Sequence, residues 1–218
     1  MNQRQRFMYR SIIPDVMTSI IGVTYPTGLV MASDLLVVAK DGTITEERKI
    51  DYTRDFIWGF AGKFDSRISG LVSRQIKEFR KSRTIEELID SILGDLMSNV
   101  NDKIKNAVGA THTSEFPPHE IGINGLFGGL YKGEYSLWYY DGSELIRKEG
   151  NVVVVSPHMK CRSLRIQVST YEEAKNLAIN SFVKYVNGLY PELSKGIEAF
   201  HMTRNGVEEV YYEPIKLQ

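Results

Sequence analysis

The chain has 218 residues, 42% of them hydrophobic, and its 27 lysines and arginines are matched by 27 aspartates and glutamates. That suits one compact domain with a sizeable core, and a formal net charge of zero removes any global attraction to nucleic acid or to an anionic membrane surface. A single cysteine, Cys161, excludes an intrachain disulfide and fits a reducing compartment, and no stretch approaches the ~20 apolar residues of a membrane span, so a cytoplasmic location is expected.

The first residues, MNQRQRFMYRSIIPDVM, carry Arg4, Arg6 and Arg10 but lack the continuous apolar core of a secretory signal, and read as a leader or propeptide-like arm over 1–17 ahead of one domain over 18–218. The β-branched and aromatic run Ser19, Ile20, Ile21, Val23 and Tyr25 predicts a strand. Pro26-Thr27-Gly28 predicts a turn, and Leu29 to Val38 a second strand returning beside the first. Asp34 interrupts that second apolar run; a lone carboxylate there should find a positive partner, and Lys49, on the short RKIDY segment, is the nearest candidate able to return by strand pairing. Phe56 to Phe60 predicts a third buried strand. Gly59-Phe60-Ala61-Gly62 then reads as a strand-to-helix turn, whose backbone N–H groups would be open to a developing oxyanion.

Beyond it, Ile68, Leu71, Val72, Ile76 and Phe79 fall at helical spacing over 64–80, with Asp65 as a cap. A capping box, TIEE, opens a second helix at Thr84, with Ile85, Leu88, Ile89, Ile92, Leu93, Leu96 and Val100 as its apolar stripe. After the polar GATHTSEFPPHE loop, strands are expected over 121–131, 134–140 and 151–156, joined by turns at Lys132-Gly133 and Asp141-Gly142. Trp138, Tyr139 and Tyr140 read as sheet packing. TYEE opens a third helix over 170–190, with Ala174, Leu177, Ala178, Phe182 and Val186 as its stripe, and strands over 197–203 and 207–212 close the chain around Asn205-Gly206. This order is an α+β pattern. His112, His119, His158 and His201 have no metal-ligand spacing, Cys161 reads as an inert thiol, and neither metal nor cofactor is expected.

In TSIIGVTYPTGLVMASD, the RKI segment and IWGFAG, the chain resembles the proteasome β-type branch of the N-terminal-nucleophile hydrolases, including the bacterial HslV-type peptidase rings. The resemblance is strong over residues 18–62 and weaker afterwards. It implies a four-layer αββα sandwich and a threonine-type endopeptidase with Thr18 as nucleophile, Asp34 and Lys49 as the supporting pair, Gly59 as the oxyanion amide and Ser194 as a bracing serine. By the same alignment Val37, Ile57 and Ala61, together with Glu47 and Asp51, line the substrate pocket. It further implies a peptide or unfolded-protein substrate, a homo-oligomeric ring or spiral enclosing the sites, and an ATP-dependent unfoldase as partner.

The chemistry accounts for these residue types. A threonine hydroxyl needs a base, and the free α-amino group of the same residue supplies one, with a reference pKa of roughly 7.7–8.0. A lysine ammonium beside that amine lowers its proton affinity, and the carboxylate keeps the lysine charged and oriented. The mechanism requires residues 1–17 to leave, because the Thr18 nitrogen is otherwise an amide. Two routes are open: self-cleavage before Thr18, with Met17 where the family usually has glycine, or a start at Met17 followed by methionine removal. The bracing shell also departs from the pattern: Ser156 is the remaining counterpart in VVVVSPHMKCRS, and Pro191 stands at the aspartate position of YPELSKGIEAF, with Glu192 adjacent. Those departures keep two alternatives open: a non-catalytic proteasome-like subunit that retains its leader, and an acylase or peptide ligase using the same nucleophile.

Overall fold

The computed structural model describes residues 19–38, 44–63, 66–111, 122–155, 161–189, 193–194, 196–214 and 216–217. Two antiparallel sheets dominate. In the first, six strands run in the order β11 (Arg162–Leu164), β10 (Val152–Val155), β1 (Ile20–Tyr25), β2 (Gly28–Asp34), β13 (Ile197–Thr203) and β14 (Gly206–Glu213). In the second, five strands run β5 (Ile50–Tyr52), β6 (Phe56–Lys63), β7 (Gly122–Tyr131), β8 (Glu134–Tyr140) and β9 (Leu145–Arg147). Two short pairs, β3 (Leu36–Val38) with β4 (Ile44–Glu46) and β12 (Leu193–Ser194) with β15 (Lys216–Leu217), stand outside them. The chain is α+β. No helix among the described residues is long and apolar enough to cross a membrane.

Three apolar clusters follow from the period-two alternation of the strands. On β6, Phe56, Trp58 and Phe60 point to one face and pack with Val72, Ile76, Leu88, Leu93 and Met97 of the helices. The intervening Ile57 and Ala61 point to the other face and join Ile20, Leu29, Met31, Leu126, Leu137 and Phe200, between the two sheets. A third cluster joins Ile21, Val23 and Val30 to Ala174 and Ala178 of the last helix. Glycines let the sheets approach: a Cβ on Gly22 would lie 2.8 Å from Leu137, and one on Gly128 would lie 2.6 Å from Leu29.

Among the described residues the α-helices are α1 (Ser66–Arg80), α2 (Ile85–Glu87), α3 (Leu93–Thr111) and α4 (Tyr171–Leu189). Trp58 on β6 donates its indole N–H to Ser73 of α1 at 2.9 Å, fixing α1 over the sheet. The Thr84 capping box is formed from both sides: the Glu87 N–H donates to Thr84 Oγ1 at 3.1 Å, and the Thr84 N–H donates to Glu87 Oε2 at 2.9 Å. A π-helical turn, Leu88–Ile92, links α2 to α3. It supplies the extra residue between Leu88 and Leu93, so that Ile85, Leu88, Leu93, Met97 and Ile104 all reach the core, while Ile89, Ile92, Leu96 and Val100 of the expected stripe are only partly buried. Midway along α3 the buried Asn101 accepts the Ile123 N–H at 2.8 Å and donates back to its carbonyl at 3.1 Å. Thr170 caps α4 in the same way as Thr84 caps α2, with Glu173 as its partner.

Several expectations are corrected. The GFAG segment is not a turn, since β6 continues to Lys63. Leu71 and Phe79 are exposed rather than part of the buried stripe of α1. The second apolar run divides into β2 and β3, and the short strands β4, β9, β11, β12 and β15 were not predicted from the sequence. The Asp65 cap lies outside the described residues.

The glycines at the sheet interface and in α1 differ in kind. Gly128→Val places branched carbons against Leu29 and Ile57 and is expected to lower stability by about 2–3 kcal/mol. Gly70, an exposed α1 position where a Cβ would meet nothing within 4 Å, should gain up to about 1 kcal/mol as alanine. Urea unfolding of the two variants beside wild type checks both; equal effects would refute the close-approach argument.

Candidate functional site

Asp34 ends β2, where the strand is held on one side by β1 and on the other by β13, opposite Ile197. Its neighbours are therefore fixed by two ladders before its side chain forms any bond. The carboxylate is buried, and two of its donors are on described residues. The backbone N–H of Ser19 donates to Oδ2 at 2.6 Å, and the Lys49 ammonium pairs with Oδ1, the two side chains being 4% and 7% exposed respectively. Burial of both charges is tolerated because each is paired, in the manner expected of a lone carboxylate in an apolar strand. Lys49 arrives at the start of β5 as the sequence suggested.

The Ser19 amide bond matters for the site because residue 18 joins the chain at that nitrogen. Thr18 itself lies outside the described residues; its successor, Ser19, is anchored on the same carboxylate that holds the Lys49 ammonium. Of the other predicted site residues, Ser194 lies on β12, opposite Lys216, and Val37 on β3, opposite Thr45. Ser156, Pro191 and Glu192 lie outside the described residues.

Gly59 does not have the expected role. The Phe56 carbonyl accepts the Thr53 N–H at 2.8 Å on the β5 side of β6. Peptide groups alternate sides along a strand, so Gly59, three residues on, directs its N–H toward β7, where it pairs with Leu126. Its missing side chain instead makes room for Ile20, since a Cβ there would lie 2.9 Å from the Ile20 side chain. By the same alternation Gly62 directs its N–H to the β5 side, beyond Ile50 where β5 begins. Nor do Ile57 and Ala61 line an open pocket: both are buried between the sheets. Asp51 is instead paired with Lys77 of α1 at 2.6 Å.

Sequence reasoning missed Glu198, a wholly buried residue on β13 opposite Ser33. Its Oε1 accepts three donors, the Ser33 hydroxyl at 3.0 Å and the backbone N–H groups of Lys49 at 2.7 Å and Ile50 at 2.8 Å. Its Oε2 is buried with no hydrogen-bond partner among the described residues. The signal was available, because Glu198 interrupts the apolar strand IEAFHM just as Asp34 interrupts GLVMAS. Cys161 is half-buried, and burial raises its thiol above the usual value despite the nearby Lys148, so it is a poor thiolate. A separate cluster joins Tyr25, His201 and Glu208, with the tyrosine oxygen 2.6 Å from His201 Nε2 and Nδ1 3.1 Å from the Glu208 carboxylate.

Two expected outcomes follow from this geometry. Lys49→Met leaves the buried Asp34 without its ammonium partner and should cost about 3–5 kcal/mol, with a Lys49→Met/Asp34→Leu double variant costing less than the single change; additive costs in urea unfolding would contradict the pairing. Burial raises the Glu198 carboxyl above its ordinary 4.5, outweighing the bonds from Ile50, Lys49 and Ser33 and the Arg48 charge. The folded chain therefore holds this proton more tightly than the unfolded chain, so the associated stability is complete below 4.5 and is lost as pH rises through the raised folded value. Glu198→Gln, neutral throughout, should match wild type near about pH 4 and become the more stable of the two toward neutrality. A gap between them that stays constant with pH in the same unfolding experiment would be inconsistent with this linkage.

No protein-family model matches the chain, and no curated protein matches it either.

Proposed function

We propose that the chain is a proteasome-like threonine peptidase with a four-layer αββα architecture, in which Thr18 acts once residues 1–17 have been removed. The observation that carries this reading is the buried Asp34 carboxylate, which holds the Ser19 amide with one oxygen and the Lys49 ammonium with the other. A free amine at Thr18 would enter beside a fixed positive charge that lowers its proton affinity, leaving it able to take the hydroxyl proton. The hydroxyl oxygen then attacks the peptide carbonyl, and the amine's proton passes to the leaving nitrogen as the carbon–nitrogen bond breaks. Water, deprotonated by the same amine, hydrolyses the resulting ester. Gly62, with its N–H on the β5 side of β6 beyond Ile50, takes the oxyanion role in place of Gly59; such a donor is worth about 3–4 kcal/mol in the transition state.

In this reading the substrate is a peptide or an unfolded protein, the protein assembles as a homo-oligomeric ring or spiral, and an ATP-driven unfoldase feeds the chamber. No cofactor takes part in the steps. The second reading, a non-catalytic subunit that keeps its leader, is favoured by Met17 before the nucleophile and by Pro191 where the family places aspartate. In it the Asp34 and Lys49 pair is architectural.

Intact mass and N-terminal sequencing of wild type and Thr18→Ala separate the two. The peptidase reading expects wild type to begin at Thr18 and to cleave fluorogenic peptides, and expects Thr18→Ala to be inactive. Wild type that retains residues 1–17, together with an inactive chain started at Met17, would overturn it in favour of the structural subunit.

A further inference from the structure

We propose that Glu198 is a positioning residue for Lys49, fixing the backbone that carries the ammonium to Asp34. The inference rests on the reading of Asp34 and Lys49 as the working pair of a threonine peptidase, and deepens it by naming what holds that pair in register.

Three features converge on Glu198. It lies opposite Ser33 and receives that residue's hydroxyl, so it is tied to the strand position immediately before Asp34. The same oxygen receives the amides of Lys49 and Ile50, so it is also tied to the residue bearing the ammonium and to the next one. Ser33 belongs to the six-stranded sheet and Ile50 to the five-stranded one, and one carboxylate oxygen therefore spans the two halves of the ion pair.

The need for such a tie comes from the local structure around Lys49. Residues 47–49 have no regular structure, and β5 is the edge strand of its sheet. The Trp58 peptide, like that of Phe56, faces β5, which makes Asp51 the hydrogen-bonded partner on that side and turns the Ile50 N–H outward. An outward edge amide and a loop amide would otherwise depend on water. Glu198 supplies a buried acceptor to both, removing the freedom that would let a long lysine side chain swing away from Asp34. The surrounding ties point the same way, since Arg48 is paired with Glu209 of β14 at 2.7 Å.

The test is competitive acetylation of lysines in the full chain, read by mass spectrometry, for wild type, Glu198→Gln, Glu198→Ala and Ser33→Ala. Glutamine retains a carbonyl acceptor for the three donors, so Lys49 in Glu198→Gln should be labelled within about twofold of wild type, whereas in Glu198→Ala it should be labelled about tenfold faster, with the exposed Lys81 unchanged as internal reference. Lys49 labelling in Glu198→Ala within about twofold of wild type, or equal fast labelling in the glutamine and alanine variants, overturns the proposal. If Glu198→Ala fails to unfold cooperatively, Ser33→Ala, which cuts only the β2 tie, decides: a rise of about threefold supports the assignment and no change overturns it.

Labelling needs no turnover, so a chain inactive on peptides whose Lys49 protection still follows Glu198 defeats the peptidase reading and not the positioning role. In material that begins at Thr18, Glu198→Ala should lower kcat by about tenfold or more with KM nearly unchanged, and Glu198→Gln should restore most of it.

Discussion

The buried Asp34 carboxylate is the constraint on which the arrangement of the site depends. A charge with 4% of its side chain exposed must be met by donors on every side that water would have occupied, and each donor it recruits is thereby fixed. Ser19 is recruited through its amide, which sets the entry of β1; Lys49 is recruited through its ammonium, which sets the start of β5. These belong to different sheets, so the carboxylate is a point at which the sheets are locked in relative position. Glu198 adds a second such point one residue along the same pair of strands, and the two acids divide the work: Asp34 holds the charge and Glu198 holds the backbone that delivers it.

How far the site was legible in the sequence depends on which physical rule applied. The pairing of Asp34 with Lys49 could be read because a lone carboxylate in an apolar strand demands a cation, whatever the fold. The capping boxes at Thr84 and Thr170 and the turns at Gly28 and Lys132-Gly133 were legible for the same reason, since each is satisfied within a few residues. The rule that exposed Asp34 also applied to Glu198 in IEAFHM, and its donors were hidden because two of them are backbone amides, which carry no sequence label.

Gly59, Ile57 and Ala61 mark where local reading stopped. A glycine in a run such as IWGFAG signals a turn, a close approach or an open amide equally well, and only the ladder decides which side its N–H faces. Here the approach of Ile20 explains the glycine, and the alternation that turns its amide toward β7 also turns Ile57 and Ala61 between the sheets. The strands β9 and β11, three residues each, contain too few positions for period two to show. The π-helical turn was hidden for a related reason, because a 3.6-residue period assigns Ile89 and Ile92 to the stripe where the structure assigns Met97 and Ile104.

The position of β1 and β2 within their sheet carries a consequence for biosynthesis. Among the described strands β1 and β2 come earliest in the sequence and are central ones, and their flanking partners β10 and β13 follow much later, the Ser33 and Glu198 side chains being 165 residues apart in the chain. Closing so long a loop is slow and gains nothing until the last contacts form. The nascent chain can pair β1 with β2 early, but the brace around Lys49 has to wait for β13. The order of synthesis thus works as a timer, keeping Glu198 from the backbone around Lys49 until β13 has been made.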